Sequence, residues 1–126
     1  MMKIFLVEDD KVYADFIKKS FEGKYDITSF ESAEECLEAI ESSLPEVLLL
    51  DYKLPGMSGI EFFEKINGRL DEETKIIMLS SIDDGNLVLD FIKKGIRDYV
   101  VKDDTVIDSL EAVIEGNDDY FFDDFD

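Results

Sequence analysis

The sequence predicts an α/β fold: a doubly wound parallel sheet of five strands with helices on both faces. Short apolar runs alternate five times with segments whose apolar residues recur at helical spacing, and each crossover between parallel strands must pack a helix back on the sheet. Residues 47–50 (Val-Leu-Leu-Leu) are closed by Pro45 and by a Pro/Gly/Ser/Gly loop, a pattern typical of a central strand buried on both faces. Asp51 therefore ends a core strand and faces the edge where such sheets bind ligands, although this stretch alone also fits an aspartate that only begins a turn.

The length and composition indicate one domain and exclude several functions. At 126 residues the chain has the usual size of one domain, predicted over residues 1–116, and residues 117–126 are either an acidic, aromatic tail or the start of a linker. The formal net charge of −19 argues against direct binding to nucleic acid or to an anionic membrane surface. Because no apolar run approaches about 18 residues and acids follow the first run too soon for a signal peptide, we expect a cytoplasmic protein.

Two residue types limit the chemistry. The chain has no histidine, which excludes catalytic triads, Cys/His dyads and nearly all structural zinc sites, so carboxylates, lysines and hydroxyls must carry any reaction. The single cysteine, Cys36, cannot form an internal disulfide. Its position on the apolar face of a helix predicts a small buried hydrophobe rather than a nucleophile.

The first predicted strand and helix lie near the start of the chain. Residues 3–7 form a short β-branched and aromatic run that favours a strand. A helix over residues 11–21 follows, which Asp10 caps and Gly23 ends. The apolar residues that recur at helical spacing in it are Val12, Phe16, Ile17 and Phe21.

The next two strands are separated by one helix. Residues 25–30 form the second strand, and a capping box at residues 32–35 begins a helix that ends near Ser42. After the third strand, which ends at Asp51, a loop leads into a helix over residues 60–66.

The remaining elements repeat the alternation. Residues 75–80 form the fourth strand, and a helix is predicted over residues 83–95. The apolar residues of that helix are Leu87, Val88, Phe91 and Ile92. Residues 99–101 form the fifth strand, and a last helix runs from a Thr105 cap to Gly116.

Polar side chains stand at the ends of four predicted strands. They are Glu8, Asp9 and Asp10 after the first, Asp51 at the third, Ser80 at the fourth and Lys102 after the fifth. If the first, third and fourth strands are neighbours, these groups meet in one pocket. Carboxylates this close repel one another unless a cation neutralises them. A ligand set made of oxygen alone, with no histidine or cysteine, selects Mg²⁺.

The predicted pocket suits phosphoryl transfer. Mg²⁺ would lie between Asp9 and Asp51 and bridge to a phosphoryl group, with the carbonyl of Lys53 as a further ligand. Lys102 would pair with phosphoryl oxygens as a point charge, and Ser80 would donate a hydrogen bond to another. Together these groups neutralise charge, which is most of what phosphoryl transfer requires.

Four segments resemble one known family in order and spacing. They are residues 7–10 (Val-Glu-Asp-Asp), Asp51 with residues 54–59 (Leu-Pro-Gly-Met-Ser-Gly), residues 79–81 (Leu-Ser-Ser) and residues 98–102 (Asp-Tyr-Val-Val-Lys). From about residue 3 to residue 115, the chain resembles the receiver domain of two-component response regulators. The resemblance implies a flavodoxin-like strand order, 2-1-3-4-5.

The resemblance also implies roles for the acidic residues. Asp51 would be the phosphoacceptor, attacking the phosphohistidine of a histidine kinase or of a histidine phosphotransfer protein. Glu8 and Asp9 would be the acidic pair that holds Mg²⁺, Asp9 directly and Glu8 through water.

The same resemblance implies a switch and an output. Ser80 matches the switch hydroxyl, Tyr99 the aromatic residue whose rotamer reports phosphorylation, and Lys102 the family's invariant lysine. Such a protein is not an enzyme acting on other substrates, since its only reactions are its own phosphorylation and dephosphorylation. Its output would be a contact with a downstream protein or domain, made by the helix of residues 83–95, the fifth strand and the last helix. A phosphorylation-dependent homodimer is a further partner that the resemblance allows.

Several positions depart from the family pattern or vary within it. Receivers often have proline after the lysine, whereas Asp103 follows Lys102 here. Ser81 stands where alanine is usual and should still admit a phosphodonor. Lys53 and Ile82 lie where the family tunes the lifetime of the phosphoryl group, and we expect them to hinder water and lengthen it.

Two other functions stay open. A phosphatase of the haloacid dehalogenase type also uses a strand-end aspartate and Mg²⁺, but it needs a second aspartate at position 53, where this chain has lysine. A degenerate receiver would be a binding module that never takes phosphate. Against it, the residues that the family uses for phosphorylation are all present: Glu8, Asp9, Asp51, Ser80 and Lys102.

Overall fold

The computed structural model contains the predicted alternation of strands and helices, and it describes residues 1–66, 68–70, 73–81, 89–90 and 92–116. The strands are β1 (Met2–Val7), β2 (Tyr25–Phe30), β3 (Val47–Asp51), β4 (Lys75–Ser80) and β5 (Asp98–Val101). The helices with bounds inside that part of the chain are α1 (Lys11–Ser20), α2 (Ala33–Ser42), α3 (Gly59–Ile66) and α4 (Val106–Ile114). None of the described helices is long and apolar enough to cross a membrane.

One predicted helix and the C-terminal segment lie partly or wholly outside the described residues. Of the helix predicted over residues 83–95, residues 89, 90, 92 and 93 are helical. Residues 82–88 and 91 are outside the described part of the chain, so the positions predicted for Leu87, Val88 and Phe91 are not tested. The same holds for residues 117–126.

All five strands are parallel, and their order across the sheet is β2-β1-β3-β4-β5, which confirms the order implied by the resemblance. Val7 of β1 lies beside Leu50 of β3, and Asp51 lies beside Leu79 of β4. Ser80 is then paired with the last residue of β5. Because the strands run in one direction in this register, their carboxyl ends share one edge of the sheet.

Alternate residues of the central strands face two hydrophobic cores, one on each side of the sheet. One core contains Ile4, Leu6, Leu49, Ile77 and Leu79 with residues of α1 and α4. The other contains Phe5, Val7, Leu48, Leu50 and Met78 with residues of α2 and α3. Helices therefore cover both faces as predicted, and each fully buried leucine contributes roughly 1.5–3 kcal/mol.

Cys36 belongs to the second core, as predicted. Its side chain has no exposed surface. Burial raises the pKa of its thiol to about 12, so the thiolate that a nucleophile needs is suppressed.

The buried face of α1 includes only some of the apolar residues that recur at helical spacing. Val12 is 80% exposed and Phe16 is 47% exposed, although they share the spacing of Ile17 and Phe21. The stripe that packs on the sheet is Ala14, Ile17 and Phe21, three and four residues apart. The predicted helix is confirmed, but its core position is taken by the small Ala14 side chain, which lets the helix approach the sheet on that side.

The starts of α1 and α4 are stabilised in different ways. The Asp10 carboxylate accepts hydrogen bonds from the N–H groups of Val12 and Tyr13, at 3.0 and 3.3 Å, which confirms the predicted cap. Thr105 precedes α4 as predicted, but its side chain makes no capping bond to the helix. Instead, the Asp103 carboxylate accepts from the N–H and the hydroxyl of Thr105, at 2.9 and 2.8 Å, because a carboxylate two residues earlier reaches both donors.

Candidate functional site

Three carboxylates meet where β1 and β3 end. Glu8 follows β1 and is 3% exposed, Asp51 ends β3 and is 5% exposed, and Asp9 lies at the surface. One oxygen of each carboxylate lies within 4.8 Å of the others. The fold thus brings Asp51 next to Glu8 and Asp9, which lie more than forty positions earlier in the sequence. We call these three residues the acidic pocket.

Hydrogen bonds to the backbone hold the Glu8 side of the acidic pocket. The Glu8 N–H donates to the Phe30 carbonyl of β2 at 3.0 Å, which extends the strand pairing by one residue. The Glu8 carboxylate accepts from the N–H of Asp10 at 3.2 Å. Asp10 itself turns its carboxylate to the start of α1, so this third acid of the sequence run serves as a cap.

Lys102 reaches the acidic pocket from the end of β5. Its Nζ lies 2.6 Å from Glu8 Oε2 and 3.2 Å from Asp51 Oδ1, and its side chain is 15% exposed. Its N–H donates to the Ser80 carbonyl at 2.8 Å, which continues the pairing of β4 and β5 to the edge of the sheet. The lysine therefore contacts both buried carboxylates although Asp103, and not proline, follows it.

Burial and charge oppose each other in this cluster. Burial raises the pKa of Glu8 and of Asp51, and hydrogen bonding and charge from Lys102 counteract that effect only in part. Burial lowers the pKa of Lys102, but its hydrogen bond to Glu8 and the charge of Asp51 outweigh burial and raise it overall. One ammonium is thus shared by two buried carboxylates, with Asp9 beside them. This excess of negative charge favours the binding of a further cation at the acidic pocket.

The donor set of the acidic pocket fits a hard divalent ion. Three carboxylates supply oxygen ligands, and the chain has no histidine that could select a softer metal. Mg²⁺ is usually held by one or two carboxylates together with water and phosphate oxygens. An exposed Asp9 next to the buried Asp51 offers that kind of partly open site.

The other predicted site residues lie at or near the same edge. Ser80 ends β4 and is 3% exposed, while Tyr99 lies within β5 and is 40% exposed. Lys53 lies in the loop after β3, and its backbone makes a hydrogen bond to the Asp51 carboxylate. The metal-binding carbonyl predicted for Lys53 and the switch roles predicted for Ser80 and Tyr99 stay predictions. Ile82 lies outside the described residues.

Tyr13, which was not predicted as a site residue, forms a further wall of the site. The Lys102 Nζ lies over its ring, 4.6 Å from the centroid. Burial raises the pKa of the Tyr13 phenol. One signal for this residue was present in the sequence: the Asp10 cap places the third residue of α1 on the first turn, next to the strand ends.

The chain is similar in sequence and in structure to known receiver domains and response regulators. The chain matches the family model of the response regulator receiver domain over residues 4–115. The chemotaxis protein CheY of Listeria monocytogenes is 32% identical over 117 residues, which cover 88% of this chain and 97% of that protein. The transcriptional regulatory protein YdfI of Bacillus subtilis is 29% identical over 123 residues, which cover 93% of this chain and 57% of that protein. The solved structure of response regulator protein TrrA from Thermotoga maritima, in complex with Mg²⁺-BeF, has a TM-score of 0.78 and 28% identity and covers 91% of this chain and 98% of that chain.

Proposed function

The chain belongs to the response regulator receiver domain family, and on this premise we propose that it is phosphorylated on Asp51 in two-component signalling. One observation carries the proposal: the buried Asp51 carboxylate lies 3.2 Å from the Lys102 ammonium, within a group of three carboxylates. Receiver domains act with histidine kinases and output domains. The phosphoryl donor is therefore the phosphohistidine of a histidine kinase or of a histidine phosphotransfer protein.

We assign Mg²⁺ to the acidic pocket. Asp9 and Asp51 would bind it directly, Glu8 would act through water, and the Lys53 carbonyl would be a further ligand. When bound, the ion supplies charge neutralisation for the oxygens of the phosphoryl group. The all-carboxylate donor set supports this assignment, and so does the Mg²⁺-BeF complex of TrrA.

The reaction we propose moves a phosphoryl group from a histidine nitrogen to a carboxylate oxygen. An Asp51 oxygen attacks phosphorus, the P–N bond breaks, and its electron pair stays with the imidazole of the donor. Lys102 pairs with one phosphoryl oxygen, and the Ser80 hydroxyl donates to another. Water later attacks the same phosphorus, which releases inorganic phosphate and returns the Asp51 carboxylate. Both steps concern the protein itself, so we do not assign it a separate substrate.

We propose that phosphorylation shifts an equilibrium between two conformations of this domain. The Ser80 hydroxyl and the partly exposed ring of Tyr99 are the proposed switch. The proposed output is a contact of β5, α4 and the helix predicted over residues 83–95 with a downstream protein or domain, and a phosphorylation-dependent homodimer would be one form of it. The domain would comprise residues 1–116, followed by a tail or linker, and would work in the cytoplasm.

The degenerate-receiver alternative is not favoured. A module that never takes phosphate has no need of a buried carboxylate pair that shares one lysine. Glu8 and Asp51 both contact Lys102 at distances typical of ion pairs. The haloacid dehalogenase alternative lacks its second acid, because position 53 is lysine.

Intact mass measurement tests the proposal. Wild type, Asp51→Asn and Asp26→Asn are incubated with acetyl phosphate or phosphoramidate, with Mg²⁺ or with EDTA. Asp26 is an exposed aspartate of β2 beside Lys3, near the opposite end of the sheet, so Asp26→Asn removes the same charge away from the acidic pocket.

We expect wild type and Asp26→Asn to gain one phosphoryl group only with Mg²⁺, and Asp51→Asn to gain none. Folded wild-type protein that gains no mass with either donor would contradict the proposal and favour the degenerate receiver. If Asp51→Asn still gains the mass of one phosphoryl group, the acceptor is another residue.

A further inference from the structure

We propose that Tyr13 is a positioning residue whose ring face holds the Lys102 ammonium for phosphoryl transfer to Asp51, an inference that rests on the function proposed above. Among the described residues, the ammonium contacts Glu8 Oε2 at 2.6 Å and Asp51 Oδ1 at 3.2 Å and lies 4.6 Å from the centroid of the Tyr13 ring. The ring is thus an uncharged neighbour of this ammonium.

The local structure of α1 holds the ring in this position. The Tyr13 N–H donates to the Asp10 carboxylate at 3.3 Å, which fixes the first turn of the helix at the edge of the sheet. The ring of Phe16 packs against the Tyr13 ring with centroids 5.8 Å apart. The ring of Tyr13 also packs as a partly buried group against the core under α1. Held on these sides, it presents its face to Lys102.

A ring face suits an ammonium that has to move. During phosphoryl transfer, Lys102 must turn from the carboxylates of Glu8 and Asp51 towards an oxygen of the incoming phosphoryl group. An aromatic face attracts a cation over a broad area without fixing it to a single atom, so the contact can persist during this movement. With 15% of the lysine side chain exposed, the contact is largely shielded from water, the condition in which cation–π attraction is strongest.

Substitutions can separate this electrostatic role from simple packing. Tyr13→Phe keeps the ring face and removes the hydroxyl, whereas Tyr13→Leu keeps apolar bulk and removes the face. Replacing Tyr13 with phenylalanines that carry an increasing number of fluorines weakens the attraction for a cation stepwise at nearly constant size. Val12→Ala is a control, because it shortens an exposed apolar side chain of the same helix.

The test compares the rate constants for phosphorylation by acetyl phosphate with Mg²⁺, followed by intact mass. A small donor is used so that no contact with a protein donor affects the rate. We expect Tyr13→Phe and Val12→Ala to stay within about twofold of wild type and Tyr13→Leu to be slower by about fivefold, with rates that fall progressively along the fluorinated series. Melting temperatures are measured for each variant, and a packing role alone would not order the fluorinated proteins by rate.

A second readout does not depend on phosphorylation. In the unphosphorylated protein, the ring should shift the ε-methylene protons of Lys102 upfield in the NMR spectrum, and Tyr13→Leu should abolish that shift. If wild type is phosphorylated and Tyr13→Leu reacts at the same rate, the positioning role is wrong while the function of Asp51 stands. If wild type takes no phosphoryl group, the proposed function fails and this inference fails with it.

Discussion

Asp51 and Glu8 are buried carboxylates that share the ammonium of Lys102. Burial raises the pKa of each, which means that the fold destabilises their charged forms relative to the unfolded chain. A site of this kind lowers the stability of the protein when no further cation is bound. We therefore expect replacement of Asp51, the proposed phosphoacceptor, to stabilise the protein under those conditions.

Asp51→Asn should stabilise the protein in EDTA at neutral pH by on the order of 1 kcal/mol, because it removes one of two buried charges that share one lysine. The amide can still accept the backbone hydrogen bond from Lys53. Addition of Mg²⁺ should raise the melting temperature of wild type and leave Asp51→Asn nearly unchanged. Thermal unfolding followed by circular dichroism measures both effects, with Asp26→Asn as the control. A lower melting temperature for Asp51→Asn in EDTA would contradict this account.

At the scale of single residues, position in the sequence was enough to find the acidic pocket and its lysine. Asp51 ends an apolar run, and Glu8 and Lys102 directly follow theirs, so parallel pairing brings all three to one edge. Tyr13 could not be found in this way. Its contact depends on how α1 is rotated about its own axis, and the apolar residues at helical spacing do not fix that rotation, because Val12 and Phe16 among them are exposed.

At the scale of elements, the connection between β3 and α3 depends on Gly59. A Cβ atom at this position would lie 2.6 Å from the Asp51 carbonyl oxygen and 3.1 Å from Tyr52 Cα. Both atoms belong to the backbone, so neither can rotate away. Gly59→Ala should therefore destabilise the protein by about 2 kcal/mol and slow phosphorylation, since it displaces the backbone that carries Asp51, the proposed phosphoacceptor.

Gly23→Ala is the matched comparison for Gly59→Ala. Gly23 has a φ of 81° after α1, and in the described part of the chain no heavy atom outside its own neighbours in sequence lies within 4 Å of the position of an added Cβ. Its replacement should cost about 1 kcal/mol of backbone strain and leave the phosphorylation rate unchanged. Urea unfolding and intact mass measure the two properties. If Gly59→Ala reacts as fast as Gly23→Ala, the packing of this loop does not control the site.

Hydrogen bonds and an ion pair connect the last turn of α4 and the residue after it to the end of the sheet opposite the acidic pocket. The phenol of Tyr25 donates to the Glu115 carboxylate, Lys24 pairs with Glu111, and Lys75 Nζ donates to the Val113 carbonyl at 2.7 Å. Burial, and then the Glu115 carboxylate, raise the pKa of the Tyr25 phenol. The stabilisation from this group is complete below the pKa of an unfolded tyrosine, about 10, and is lost as pH rises above it.

Tyr25→Phe should destabilise the protein by about 1–2 kcal/mol at pH 7, because it removes a partly buried hydrogen bond to a carboxylate. The difference between wild type and variant should stay constant up to about pH 9 and shrink above about pH 10, where the unfolded wild-type chain loses its phenol proton more readily than the folded one. Urea unfolding across this range measures the difference. If the difference in unfolding free energy between wild type and Tyr25→Phe increases at alkaline pH, the prediction is wrong.

The elements themselves were predictable from local sequence, because each strand is a short apolar run and each helix has a start or stop signal. Predicted and observed strand bounds agree to within one residue at every end. The buried face of α1 and the capping of α4 could not be predicted from local sequence, because both depend on contacts between side chains in the folded protein. Ala14, and not Phe16, packs against the sheet. The N–H and the hydroxyl of Thr105 both donate to the Asp103 carboxylate, and the Thr105 side chain makes no capping bond to the helix.

At the scale of the whole molecule, the net charge of −19 opposes the compact state through self-repulsion. Salt screens charges that are separated by more than about 8 Å at physiological ionic strength. We expect the melting temperature to rise by several degrees between low salt and physiological ionic strength of NaCl. Asp51→Asn should show the same rise, because screening acts on the entire surface and not on the acidic pocket. A melting temperature that falls or does not change with salt would contradict this expectation.

We propose that the fold of the whole molecule gathers distant strand ends so that one carboxylate, Asp51, becomes the phosphoacceptor. The most direct measurement identifies the phosphorylated residue itself. The protein is treated with acetyl phosphate and Mg²⁺, the acyl phosphate is reduced with borohydride so that the modified aspartate becomes homoserine, and the peptides are sequenced by mass spectrometry. We predict homoserine at position 51 alone, and none when EDTA replaces Mg²⁺. Homoserine at Asp9 or at any other acid, with position 51 unmodified, would contradict the claim.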